Sequence, residues 1–314
     1  MTQSYLFSAE IPEHLSGYRL DQALAEMFPD YSRSKLQTWI RGGRVRVDGV
    51  VRKPKDKVEG GESIALDAEP EAVISCAAEA IPLDIVHRDE TLIVINKPAG
   101  LVVHPAAGNW QGTLQNALLH LDPNLATLPR AGLVHRIDKE TTGLLVVART
   151  LSAHKNLVDQ LQARTISREY LAITKGRMTA GGTVDAPIGR HPVDRKRYAV
   201  QASGKNAVTH YRVQERFVLH TLIRVKLETG RTHQIRVHMA HIRYPLLGDP
   251  VYGGRFRLPP ACPETLETCL RGFRRQALHA TKLGLEHPKT GDHCEWAAEI
   301  PDDMADVIVE LRKL

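Results

Sequence analysis

Apolar residues recur at helical spacing near the start of the chain. Leu20, Ala23, Leu24 and Met27 predict a helix that ends at Phe28-Pro29. Ser32 has the chemistry of an N-cap for a second helix over 33–41, with Leu36, Trp39 and Ile40 as its apolar positions. Gly42-Gly43 stops that helix. Val45 and Val47 then alternate with Arg44 and Arg46, which is strand periodicity, and Asp48-Gly49 is a hairpin turn signal. A short strand near 64–66 closes the unit. Residues 67–80, DAEPEAVISCAAEA, are small, acidic and aperiodic and read as a linker. The pattern therefore divides the chain into an N-terminal tail (1–16), a small domain (17–66), a linker (67–80) and a large domain (81–314).

The large domain mixes both periodicities. Strands are predicted at 92–96, 144–148, 169–174, 208–215 and 221–228, the last two joined as a hairpin through 217–220. Helices are predicted at 113–121, 152–162, 233–242 and 303–313. The strands crowd the second half without regular alternation with helices. That favours an α+β fold with a mixed, largely antiparallel sheet flanked by helices over a doubly wound one.

Composition narrows the class. With 42% hydrophobic and 25% charged residues, the 314-residue chain is globular rather than disordered, collagenous or coiled-coil. The net charge of +6 says little by itself, but its distribution says more. Residues 33–57 carry nine lysines and arginines against two acids, net +7. Residues 58–96 carry nine acids against one arginine, and residues 190–236 carry eleven basic residues against three acids. Two basic blocks separated by an acidic one point to a polyanionic partner for the blocks. The four cysteines do not form a zinc-knuckle or disulfide framework: Cys262 and Cys269 have six residues between them. The N-terminus lacks a signal-peptide pattern, and no apolar run approaches the roughly 20 residues of a membrane span. A cytoplasmic protein without a membrane partner is expected, with monomer as the default state.

Four segments could carry chemistry. His135-Arg136-Ile137-Asp138-Lys139-Glu140-Thr141-Thr142-Gly143 places charged residues on a loop just before an apolar strand, although a solvated turn capped by Asp138 or Thr141 has the same signature. Residues 230–241, GRTHQIRVHMAH, follow a basic strand and open a helix, where Arg231 and Thr232 are placed to hold an anion. His233, His238 and His241 lack the HExxH spacing and a neighbouring carboxylate, so no metal is expected there. Tyr170 lies in REYLAI and by default is a core or face residue of a strand. Asp194-Arg195-Lys196-Arg197-Tyr198 combines basic residues with an aromatic, suited to phosphate contact and base stacking, or merely to a solvated loop. Phosphate-loop, dinucleotide and nucleophile-elbow motifs are missing from the sequence, so no cofactor is expected.

Taken together these residues resemble a known family. SRSKLQTWIRGGRVRVDG resembles an S4 RNA-binding domain. INKPAGLVVHP, HRIDKETTGLL, REYLA and LETGRTHQIRVH with GDPVYGG resemble the catalytic domain of the RluA-type pseudouridine synthases. Asn206 stands where that pattern carries proline. The resemblance implies an isomerase that breaks the N1–C1′ bond of uridine, turns the base and joins C5 to C1′, with no cofactor. It assigns Asp138 as the catalytic carboxylate, Arg231 as its partner and Tyr170 as the active-site tyrosine. Finer matches, among them PRAGLVHR and RHP, point to members acting on large-subunit ribosomal RNA or a pre-ribosomal particle, with transfer RNA or another ribosomal RNA site as the alternative. A non-catalytic RNA-binding assembly factor would share the basic blocks but not the Asp138, Tyr170 and Arg231 set. Expected RNA contacts are Arg33, Lys35, Arg41, Arg44 and Arg46 in the small domain, and His135, Arg136, His191, Arg195, Arg197, Thr232 and His233 in the large one.

Overall fold

The computed structural model describes residues 5–28, 33–68, 77–105, 109–194, 197–256, 258 and 262–314. Its Cα atoms fall into two compact units, Met1–Ser75 and Cys76–Leu314.

The first unit contains β1 (Tyr5–Glu10), α1 (Leu20–Met27), α2 (Arg33–Arg41), β2 (Val45–Val47) and β3 (Ser63–Ala68), with the strands in the antiparallel order β1-β3-β2. Both helices form where the apolar spacing places them. Their buried faces (Leu20, Leu24, Leu36, Trp39, Ile40) meet Val45, Val47, Val58, Ile64 and Leu66 in one core. Each fully buried aliphatic side chain contributes about 1.5–3 kcal/mol. Ser32 lies outside the described residues.

Two boundaries differ from expectation. The N-terminal tail is largely structured: β1 pairs with β3 from Tyr5↔Ala68 to Glu10↔Ser63, and Ile11 and Leu15 are buried in the core. The strand is hard to see in the sequence because its polar residues give it only a faint apolar face. The assigned linker also begins late, since Asp67 and Ala68 belong to β3. The Asp48-Gly49 turn does form, with φ of 48° and 78° and reciprocal 2.9 Å bonds between Val47 and Val50. The strand that pairs with β2, however, is β3, which starts well beyond the turn.

The second unit begins with β4 (Ile85–Arg88), β5 (Leu92–Lys97), α3 (Leu114–Leu121), β6 (Thr142–Ala148) and α4 (Leu151–Ala163). It continues with β7 (Ser167–Lys175), β8 (Gly182–Asp185), β9 (Ile188–Arg190), β10 (Tyr198–Val200), β11 (Val208–Arg216) and β12 (His220–Leu227). The last elements are α5 (Gln234–His241), α6 (Glu264–Gly272), β13 (Leu278–Glu286), β14 (His293–Ala297) and α7 (Asp302–Arg312). Among the described residues, nine of these strands form one sheet in the order β4-β5-β6-β13-β7-β12-β11-β8, with β14 also on β13. Its one parallel pair is β6 with β13, so the sheet is mixed and largely antiparallel. The separate β9–β10 hairpin is antiparallel.

Alternation along the strands assigns the two faces. Ile93, Ile95, Leu145, Val147, Tyr170, Ala172, Ile223 and Val225 pack with Leu114 and Leu118 of α3 and with Ile235 and Met239 of α5. On the other face Leu92, Val94, Leu144 and Val146 meet Ala153 and Leu157 of α4. Ile173 and Leu222 meet α6 and α7 there. Every residue of β6 is buried, as expected for a strand covered on both sides. Its second residue, Gly143, has φ 108°, and an added Cβ would lie 2.2 Å from the Ala280 carbonyl oxygen. Glycine is therefore required where β13 closes on the strand that follows the Asp138 loop.

Candidate active site

The segment from His135 to Asp138 alternates in and out. His135 turns inward and its Nε2 accepts the Val146 backbone N–H at 3.0 Å. Burial, with Arg168 and His104 adding to it, pushes its pKa down to about 3, so the ring is neutral and serves β6. This gives His135 a structural role that the sequence did not indicate. Arg136 is exposed and Ile137 is buried. Asp138 follows at the rim of the α3/α5 face with its side chain 17% exposed.

A buried lysine sets the loop from below. Lys97, at the end of β5, is fully buried and donates through Nζ to the carbonyls of Pro98 (2.7 Å), Leu101 (3.0 Å) and Lys139 (2.9 Å). Gly100 N–H donates to the same Lys139 oxygen at 3.0 Å. Burial pushes the Lys97 pKa down to about 8, against the pull of Glu140 and Asp138. At the far end of the loop, Gln276 Nε2 donates to Thr141 Oγ1 at 2.9 Å.

The guanidinium on Asp138 belongs to Arg236. Its Nη1 donates to Asp138 Oδ2 at 2.9 Å, while Nε and Nη2 form a two-pronged pair with Asp249 at 2.7 and 2.9 Å. Asp249 Oδ1 also accepts the N–H groups of Val251 and Tyr252 at 2.8 and 2.9 Å. These bonds hold the Asp249 carboxyl below its ordinary pKa although burial works to raise it, and the two carboxylates hold Arg236 firmly protonated against its own burial. Arg231, expected in this place, instead donates through Nε to the Asn206 carbonyl at 3.0 Å. The physical reason is the helix start: α5 begins at Gln234, so Arg236 projects from its first turn, whereas Arg231 precedes it.

The turn into α5 is not an open anion cradle. Gln234 Oε1 accepts the Arg231 N–H at 2.9 Å and the Thr229 hydroxyl at 2.7 Å, while its Nε2 donates to Val208 O and Thr209 Oγ1. Thr232 sits half-buried in this turn. His233, in the left-handed region at φ 57°, places Nε2 3.8 Å from Asp138 Oδ1 and Nδ1 2.8 Å from the Tyr252 hydroxyl. It is thus part of the carboxylate's surroundings and not only an outward phosphate contact. His238 spends both ring nitrogens on Thr209 Oγ1 and Ala186 O.

Tyr170, on β7, is 6% exposed. Burial and the Asp138 carboxylate push its phenol above the ordinary value, with Arg168 opposing. In the β9–β10 connection His191 Nδ1 accepts the N–H groups of Val193 and Asp194. Arg197 packs inward, its guanidinium carbon 5.4 Å from the centre of the Tyr252 ring. Arg195 lies outside the described residues. In the first unit Arg33 is drawn to the buried Asp21, which also receives Arg19 and Gln37. Arg44 stands 3.7 Å from Asp67, and Arg41 and Arg46 are exposed. Lys35 is carried by α2.

The residues missed from sequence are Arg236, Asp249, Tyr252 and Lys97. A signal existed for Arg236. It stands in QIRVHM, where a lone charge among apolar neighbours on a buried helix must have a partner.

Comparison with known proteins follows the same lines. The profile of the family described as RNA pseudouridylate synthase matches residues 91–241, and that of the S4 domain matches residues 19–64. The chain is 58% identical over 306 residues to the ribosomal large subunit pseudouridine synthase D of Pseudomonas aeruginosa, covering 98% of this chain and 96% of that one. It is 58% identical over 313 residues to the protein of the same name from Escherichia coli K12, covering 99% and 96%. Among solved structures, human RNA pseudouridylate synthase domain containing 4 matches with a TM-score of 0.56 at 27% identity, over 73% of this chain and 93% of that one. With Asp138 held by Arg236 on the sheet face that carries Tyr170, this chain belongs to the RNA pseudouridylate synthase family, preceded by an S4 domain, and is an isomerase.

Proposed function

We propose that the chain converts uridine to pseudouridine in large-subunit ribosomal RNA, with Asp138 as the carboxylate at the reacting sugar. The observation that carries this is the Asp138–Arg236–Asp249 chain, which leaves one carboxylate oriented by a guanidinium and partly open. The N1–C1′ bond breaks with its electron pair leaving on uracil, the base turns, and C5 bonds to C1′. The C5 proton is lost and N1 gains one, so the sum is an isomerisation. Asp138 stabilises the positive sugar or bonds to it transiently, as carboxylates do in glycosidases. Arg236 holds Asp138 in orientation through its 2.9 Å bond to Oδ2. Tyr170, whose phenol is pushed above its ordinary pKa, is suited to stacking on the flipped base rather than to taking a proton.

The target base must leave its stack, at a cost of a few kcal/mol. Arg136 and the β9–β10 connection supply contacts that offset it, and Arg41 and Arg46 of the first unit add phosphate contacts. The names of the close relatives favour ribosomal over transfer RNA. The test is a pseudouridine map of total RNA by carbodiimide-primed extension, with and without the gene. Sites should vanish from large-subunit ribosomal RNA, and loss from transfer RNA alone would move the substrate there. Asp138→Asn should bind RNA normally and lose at least about 10³-fold in single-turnover rate. Normal modification by that variant would remove Asp138 from the chemistry.

A further inference from the structure

Tyr252 occupies a junction that the reaction described above does not use. Its hydroxyl accepts the Tyr198 N–H of β10 at 2.9 Å and contacts His233 Nδ1 at 2.8 Å. Its ring lies between two guanidinium groups, Arg236 at 5.0 Å and Arg197 at 5.4 Å. The His233 ring meets the Tyr252 and Tyr198 rings edge-on at 5.6 and 5.7 Å. Among the described residues His233 Nδ1 is the acceptor within reach of the hydroxyl, so the geometry offers its proton to Nδ1. With that donation, the ring proton of a neutral His233 would sit on Nε2, the nitrogen facing Asp138 Oδ1 at 3.8 Å.

We propose that Tyr252 is a positioning residue for the isomerisation: it fixes the tautomer of His233 so that an uncharged N–H faces the Asp138 oxygen that Arg236 does not hold, and it ties this arrangement to the β9–β10 hairpin. At 3.8 Å the N–H orients the carboxylate electrostatically without capping it. A doubly protonated His233 would add a full charge there and draw Asp138 away from the sugar. The strained backbone of His233 agrees with a side chain held in place for function. The charged and titratable groups facing this imidazole are Asp138, Arg236, Asp249 and Arg136, besides Tyr252 and Tyr198. Burial is the largest influence on it and lowers its pKa, so the neutral ring prevails at neutral pH.

The proposal rests on the reading of Asp138 as the reacting carboxylate, and its first test needs no RNA. Nitrogen NMR of the labelled full-length protein should show His233 protonated on Nε2, and Tyr252→Phe should mix the tautomers. Loss of the O–H donor to Nδ1 removes support for the neutral ring and raises the His233 pKa. The acid limb of the single-turnover pH profile in Y252F should therefore move to higher pH. The rate at neutral pH should fall about tenfold while RNA affinity stays within about twofold of wild type. His233→Gln removes the titrating group, so its acid limb should flatten whatever its rate. A wild-type His233 protonated on Nδ1, a Y252F profile that superposes on wild type, or an unchanged acid limb in H233Q overturns the proposal. If Y252F fails to fold, the wild-type spectrum and H233Q decide. Inactive wild-type enzyme on the ribosomal RNA used would instead count against the substrate reading and leave the tautomer result standing.

Discussion

Arg231 and Arg236 are five positions apart in one motif, and only backbone geometry separates their roles. Arg231 lies before α5 and reaches a carbonyl, whereas Arg236 lies between two carboxylates. Arg236→Ala would leave Asp249 buried without its counter-charge, which costs about 3–5 kcal/mol. It should also abolish turnover, because Asp138 loses the guanidinium that holds it. Arg231→Ala should shift the urea midpoint little and keep most activity. Parallel denaturation and single-turnover assays of the two variants check this, and the reverse ranking would restore Arg231 as the partner. At this scale the resemblance named Asp138 and Tyr170, and the fold brings them close enough for the carboxylate to act on the buried phenol. The role of His135 was not legible. A histidine beside an arginine on a polar loop reads as outward, and only the register of β6 shows that its nitrogen is needed by Val146.

Elements were legible where one face is apolar and a breaker follows. The helices predicted at 113–121, 152–162, 233–242 and 303–313 appear as α3, α4, α5 and α7 with ends shifted by a residue or so. Thr113 caps α3 through a reciprocal pair with Asn116, which explains its sharp start. Less legible were α6, whose apolar stripe is thin, and β13, where LHATKLGLE offers neither clean alternation nor a long apolar run. β13 changes partner along its length, from β6 to β14, so its side chains meet different surroundings at each end. Gly143, at the start of β6, tests this seam. Gly143→Ala combines a left-handed backbone with a clash against Ala280 and should destabilise by about 3 kcal/mol or more. A shift in the urea midpoint measures it, and a midpoint within error of wild type would show that the strands separate there at little cost.

Across the whole molecule, charge that looked uniform within a block turns out to be divided. In the first unit Arg33 holds Asp21 and Arg44 faces Asp67, while Arg41 and Arg46 are exposed. On the proposed reading the phosphate contacts are Arg41 and Arg46, whose bonds go to Gln37 and the Gly49 carbonyl rather than to an acid. The double variant Arg41→Ala/Arg46→Ala should keep the wild-type melting temperature and reduce the slope of log affinity against log salt by about 1.4–1.8, roughly 0.7–0.9 for each phosphate no longer neutralised. An unchanged slope would remove both from the RNA interface. Block charge was readable from sequence, but which arginine meets an acid depends on pairing across the fold.

The sheet order also carries a consequence for how the enzyme is made. β13 lies between β6 and β7, yet it is translated after both, with more than a hundred residues between the end of β7 and its start. A nascent chain that has released β6 and β7 therefore has a gap at the centre of its sheet. The seat of the Asp138 loop, including the Gln276 bond to Thr141, cannot close until residues near the C-terminus have emerged. Such non-local pairing folds late and slowly. A translation product that stops before Gln276 and β13 lacks the finished site, so modification of RNA begins only once the chain has passed them.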